Sequence, residues 1–123
     1  MQIGQVAART ELSIKTIRHY DELGLVTPSA RSAGGFRLYT EEDVQRLLVI
    51  RRMKPLGFTL EEMREVLDAL DVIADSDAAR KSVVAARAVL AVFHERAEDS
   101  CARLRIQLAY AEELTSILKT HAG

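Results

Sequence analysis

Apolar residues Ile3, Val6 and Ala7, then Leu12, Ile14 and Ile17, recur at intervals of three and four on either side of Arg9-Thr10-Glu11. That is the spacing of a buried helical face, and it predicts two short helices at about residues 4–9 and 14–22. Ser13 suits the N-cap of the second helix, and Gly24 suits its C-terminal stop. A short helix, a tight turn and a second short helix form the helix-turn-helix arrangement. Between Thr27 and Thr40 the helical period disappears, and Pro28, the stretch 29–33 and Gly34-Gly35 supply turn chemistry. Phe36-Arg37-Leu38-Tyr39 then alternates as a strand does. A small hairpin pivoting on Gly34-Gly35 is therefore predicted directly after the second helix, in the position of a wing.

Thr40 is the predicted N-cap of a helix with the stripe Val44, Leu47, Leu48, Ile50 or Arg51, and Met53. Glu41, Glu42 and Asp43 fall in its first turn, where the macrodipole favours acids. Pro55 and Gly57 end it. Thr59-Leu60-Glu61-Glu62 matches a capping box and opens a further helix to about Leu70, followed by a polar, acidic link over residues 71–78. From 79 to 119 there is no Gly or Pro, and Val83, Leu90, Ala97, Leu104, Ala111 and Leu118 lie seven apart. Phe93, Cys101, Leu108, Ala86 and Leu114 fill the stripe on alternating sides, giving a heptad-like seam whose register drifts. A helix of that length extends about 60 Å, more than a 70-residue module can cover. Its apolar face, residues Val83, Leu90, Phe93, Ala97, Cys101, Leu104, Leu108, Ala111 and Leu118, is therefore expected to meet a second copy in a homodimer. The expected organisation is a winged helix-turn-helix module at 1–70, a linker at 71–78, a dimerisation helix at 79–119 and a tail at 120–123. The fold class is mainly α.

Composition sharpens this picture. The chain has 123 residues, 48% apolar but only 5% aromatic, with no Trp and two Pro. This is helix-forming material, and an all-β sandwich is improbable on it. The net charge of -1 hides an asymmetry: residues 1–58 carry nine bases and six acids, residues 59–123 eight bases and twelve acids. Only the first half suits a polyanion. Cys101 is the single cysteine, which excludes an intrachain disulfide and a four-cysteine metal site and fits a reducing compartment. No apolar run reaches the roughly 18 residues a membrane span needs, so a cytoplasmic protein is expected.

On the second helix Ile14 and Ile17 point inward, which leaves Lys15, Arg18, His19 and Glu22 on an outer face flanked by Thr16 and Tyr20. Arginine can donate two hydrogen bonds to guanine, and Lys, Thr and Tyr suit phosphate oxygens. Alone, such a face is an ordinary solvated one. The wing changes that, because strand alternation would present Arg37 and Tyr39 together and bury Phe36 and Leu38. Arg31, Arg51, Arg52 and Lys54 add positive charge nearby.

Ile3-Gly4-Gln5-Val6-Ala7, Thr16-Ile17-Arg18-His19-Tyr20-Asp21, Gly24-Leu25, Gly35-Phe36-Arg37-Leu38-Tyr39 and Leu56-Gly57-Phe58-Thr59-Leu60-Glu61-Glu62, in that order and without gaps, resemble the MerR family of bacterial transcription regulators. The resemblance covers about residues 1–70. It implies a winged helix-turn-helix dimer, joined by an antiparallel coiled coil, that binds double-stranded promoter DNA at a pseudo-palindrome with an overlong spacer. The dimer bends and untwists that DNA so that RNA polymerase engages both promoter elements, usually under control of an effector. By matching position the resemblance implies that Arg18 and Tyr20 touch DNA from the recognition helix, Arg37 and Tyr39 hold the backbone from the first wing, and Lys54 belongs to a second wing. Lys15 and Thr16 are added from helix geometry. Glu11 stands where the family places a turn Gly or Asn able to adopt positive φ, which strains the turn. His19 stands where Tyr is common, although its imidazole still donates a hydrogen bond.

The second half says little about a signal. Paired cysteines of thiolate metal sensors are absent from 71–79 and 115–123, and Arg52-Met53-Lys54 offers no reactive cysteine. His94, Glu98 and Cys101 share a helical sector of roughly 60°, a candidate metal or thiol site across a dimer. The plainer reading, a small buried Cys101 beside a solvated His94-Glu98 pair, is preferred. Neither a cofactor motif nor a nucleophile triad is present, and no enzyme is expected. The competing reading is an adaptor or architectural DNA-bending protein without an effector.

Overall fold

The computed structural model describes all 123 residues. It contains α1 (Ile3–Thr10), α2 (Ile14–Glu22), β1 (Ala30–Arg31), β2 (Arg37–Leu38), α3 (Glu41–Met53), a 3-10 turn (Lys54–Leu56), α4 (Leu60–Ala74) and α5 (Arg80–Ala122). The chain divides into two units, Met1–Leu67 and Asp68–Gly123.

In the first unit α1 packs against α2 and α3, and Val6, Ile17, Val44, Leu47 and Ile50 are wholly buried. The turn between α1 and α2 is built from backbone demands. Glu11 adopts φ 59 in the left-handed region, as the sequence departure suggests, and its N–H donates to the Ala7 carbonyl at 2.9 Å. Buried Thr10 supports the turn from within: its hydroxyl donates to the Val6 carbonyl at 2.8 Å and accepts from the Leu12 N–H at 3.3 Å. Ser13 caps α2, accepting from the Thr16 N–H at 3.0 Å. Gly24, at φ 69, closes α2, with its N–H on the Asp21 carbonyl and the Leu25 N–H on the Tyr20 carbonyl, each at 2.9 Å.

The wing is an antiparallel pair in which Ala30 opposes Leu38 and Arg31 opposes Arg37. Its tip turns through Gly35 at φ 83, with the Ser32 N–H donating to the Phe36 carbonyl at 2.8 Å. The base of the wing is pinned by Asp43. The sequence pattern makes Asp43 one of three acids facing the dipole, but the structure buries it. One oxygen, Oδ2, accepts from the Ser29 N–H (3.0 Å), the Ser29 hydroxyl (2.8 Å) and the Thr40 N–H (2.8 Å). Thr40 in turn caps α3 through the Asp43 N–H. A buried carboxylate persists because each of these donors repays part of its desolvation. Further along, Thr59 and Glu62 form the reciprocal capping box of α4, at 2.9 and 3.1 Å.

In the second unit α4 runs on to Ala74, four residues past the end that periodicity suggests, and the connection to α5 is confined to residues 75–79. There Asp75 accepts from the Asp77 and Ala78 N–H groups. The α5 stripe differs along its length. Ala86, Phe93 and Ser100, seven apart, are buried within the single chain, and Val83, Leu90, Ala97 and Cys101 are half-buried. From Ala102 onward every residue is exposed, including Leu104, Leu108, Ala111, Leu114 and Leu118. The sequence reading assigned the whole stripe to a partner copy. Within the single chain Phe93 is buried, and that stripe is exposed from Leu104 onward. No helix is long and apolar enough to cross a membrane.

Candidate nucleic-acid interface

Three of the expected contact residues of α2, Lys15, Arg18 and His19, are exposed. Ile17, held in the core, fixes the rotation of the helix and so sends this face outward. Thr16 is half-buried, and its hydroxyl oxygen accepts from the Ser13 hydroxyl at 2.8 Å. That contact leaves the Thr16 proton free to donate. Lys54 is exposed at the start of the 3-10 turn.

Two tyrosines are more deeply buried than expected. Tyr20, assigned to the flank of the outer face, is only 3% exposed. Six residues before Val26 and three after Ile17, it completes the inward stripe of α2 and packs as core. Tyr39, expected beside Arg37 on the open face of the wing, is 4% exposed, whereas Phe36, expected to be buried, is 73% exposed. Strand alternation fails here because pairing ends at Leu38 and Tyr39 pairs with the chain start instead. Its N–H donates to the Met1 carbonyl at 2.7 Å and its carbonyl accepts from the Met1 ammonium at 2.6 Å. Burial raises the pKa of both phenols, and for Tyr39 the Asp21 carboxylate adds to the shift. Both therefore stay protonated at neutral pH.

Arg18 and Arg37, nineteen residues apart, line one open cleft of about 310 Å³. Its other walls include Ile3, Asp21, Phe36 and Tyr39. Arg37 Nη2 donates to Asp21 Oδ1 at 2.9 Å, a pairing absent from the sequence reading and carried by no local spacing. Arg31 lies opposite Arg37 on the wing and donates to the Gly35 carbonyl at 3.0 Å. The arrangement can offer guanidinium groups from a helix and from a ribbon to one anionic surface. In a winged helix-turn-helix interface a helix face meets base edges and a ribbon meets phosphates.

The candidate sensing residues of α5 do not converge. His94 Nε2 lies 3.1 Å from Glu98 Oε1 with both side chains in solvent, and Cys101 is half-buried. No group of three or more His, Cys, Asp or Glu side chains is placed to hold a metal ion.

Comparison with known proteins identifies the family. Residues 1–70 match the MerR HTH family regulatory protein description, and residues 44–109 match the family described as MerR, DNA binding. The chain belongs to the MerR family. It is 47% identical over 66 residues to the transcriptional regulator ZntR of Escherichia coli, a match covering 54% of this chain and 47% of that protein. The transcription regulator PbrR691 of Ralstonia metallidurans, solved in complex with lead(II), superimposes with a TM-score of 0.57 at 30% identity, over 94% of this chain and 86% of that one. A MerR family regulator from Listeria monocytogenes shares the fold, with a TM-score of 0.68 at 20% identity, over all of this chain and 86% of that one. The chain spans less than half the length of the curated relatives it matches.

Proposed function

We propose that this protein is a sequence-specific DNA-binding transcription regulator of the MerR type, which binds a pseudo-palindromic promoter as a homodimer in the cytoplasm and distorts it to control initiation by RNA polymerase. The observation that carries this reading is the placement of Arg18 of α2 and Arg37 of the wing on one open cleft. In this reading Lys15, Thr16, Arg18 and His19 engage the major groove, and Arg37 and Lys54 hold phosphates from either side. Tyr20 and Tyr39 act chiefly as the core that supports these residues. Leu104, Leu108, Ala111 and Leu118 form the antiparallel seam between two copies, supported by their exposure in the single chain. No catalytic role is assigned.

Footprinting on the promoter regions of its own gene and the neighbouring genes, at stated salt, tests the proposal. The expected result is a two-fold symmetric footprint with hyper-reactive bases at its centre. Weak, salt-sensitive binding that ignores sequence would overturn it in favour of an architectural or adaptor protein.

A further inference from the structure

We propose that Asp21 is a positioning residue for DNA engagement, holding the wing at a set angle to α2 through Arg37; the assignment rests on the DNA-binding reading above. Each wing strand has two residues, too few to be rigid alone, so its orientation depends on its ties. Met1 with Tyr39 and Ser29 with Asp43 secure the base. The third tie, Asp21 Oδ1 to Arg37 Nη2 at 2.9 Å, reaches from the ribbon itself to α2. Asp21 stands three residues after Arg18, on the same cleft.

The charges explain why an acid belongs there. Arg31 and Arg37 are cross-strand partners, so their side chains share a face and repel. Asp21, with its side chain 22% exposed against 53% for Arg37, offsets that repulsion. A guanidinium has five N–H donors, and with one Nη2 N–H on Asp21 the N–H groups of Nη1 and Nε are left to meet a phosphate. Charge alone predicts the opposite role, since any carboxylate on a face that meets a polyanion weakens binding to all DNA. The two roles therefore differ in sign.

The test uses the full chain with Asp21→Asn, Arg37→Gln and the double variant. Each is measured across a salt series on a duplex that the wild type enriches from a random pool and on an unrelated duplex. We expect Asp21→Asn to bind both duplexes about 1.5- to fivefold more weakly, the range of an exposed ion pair acting through a phosphate contact. The double variant should match Arg37→Gln alone, and hydrogen exchange should quicken at residues 30–38 but not at 83–101. Tighter binding to both duplexes, or additive losses in the double variant, overturns the assignment. Wild type that enriches no sequence overturns the DNA-recognition reading and this assignment with it, an outcome distinct from Asp21→Asn binding an enriched duplex as wild type does.

Discussion

Arg51 of α3 donates from Nη1 to the Thr10 carbonyl at 2.8 Å, so the last residue of α1 is held by a side chain from 41 positions later. The guanidinium sits at the negative end of the α1 dipole and 3.8 Å from Glu11 Oε2. It thereby stabilises the turn whose left-handed residue is the least suitable by type. Arg51→Met should lower stability by about 1 kcal/mol, a charged hydrogen bond discounted for its partial exposure. Glu11→Gly should raise it by about 0.5–1 kcal/mol through relief of the left-handed conformation. Urea unfolding followed by circular dichroism reads both, and a destabilised Glu11→Gly would show that the Arg51 contact outweighs the backbone cost.

Arg18 and Arg37 share a cleft but differ in what supports them. Arg18→Ala is expected to weaken the promoter site and relax its sequence preference. Arg37→Ala is expected to weaken all sequences alike and to flatten the salt slope by about one. Titrations on specific and random duplexes at several salt concentrations check this division, and equal effects of both variants on both duplexes would refute it.

The uncovered stretch of α5 gives a prediction about assembly. Leu104 is 44% exposed in the single chain, so Leu104→Glu removes little from the chain's own interior. Sedimentation should show a dimer for the wild type and a folded monomer for the variant. A wild-type monomer would overturn the proposed seam.

Arg9 pairs with Glu41 through Nη1 and Nη2, the latter at 2.8 Å. This contact, helped by Gln45, pushes the Glu41 carboxyl down from 4.5 to about 2. A carboxylate depressed on folding contributes stability above its unfolded value and loses it as the pH falls through the folded value. Wild type should therefore melt slightly above Glu41→Gln at pH 7, and the difference should close between pH 4.5 and pH 2. A difference that persists at pH 2 would show that the ion pair is not its source.

Most of the architecture is legible from residues close together in the chain. Ser13, Gly24, Thr40 and the Thr59-Glu62 box mark helix ends because a cap is a contact between residues two to four apart. Gly35 marks the wing tip because its backbone must reach φ 83. The i, i+3, i+4 pattern locates α1 to α4, since helical burial repeats with the backbone itself. Lys15, Arg18 and His19 follow from the same rule, for once Ile17 is inside, their face is outside.

Tertiary structure alone decided the rest. Period-two alternation would leave Tyr39 as open as Arg37 only if the strand continued. The chain start ends it by pairing with Tyr39, which sends that ring into the core and leaves Phe36 in solvent. The same distant packing buries Tyr20, turns Asp43 from a solvated first-turn acid into the pin of the wing, and joins Asp21 to Arg37. Along α5 the heptad spacing is uniform from Val83 to Leu118, yet its first half is covered and its second half is open. Spacing specifies which residues share a face, whereas what covers that face depends on where the remainder of the chain folds, and no local repeat encodes it.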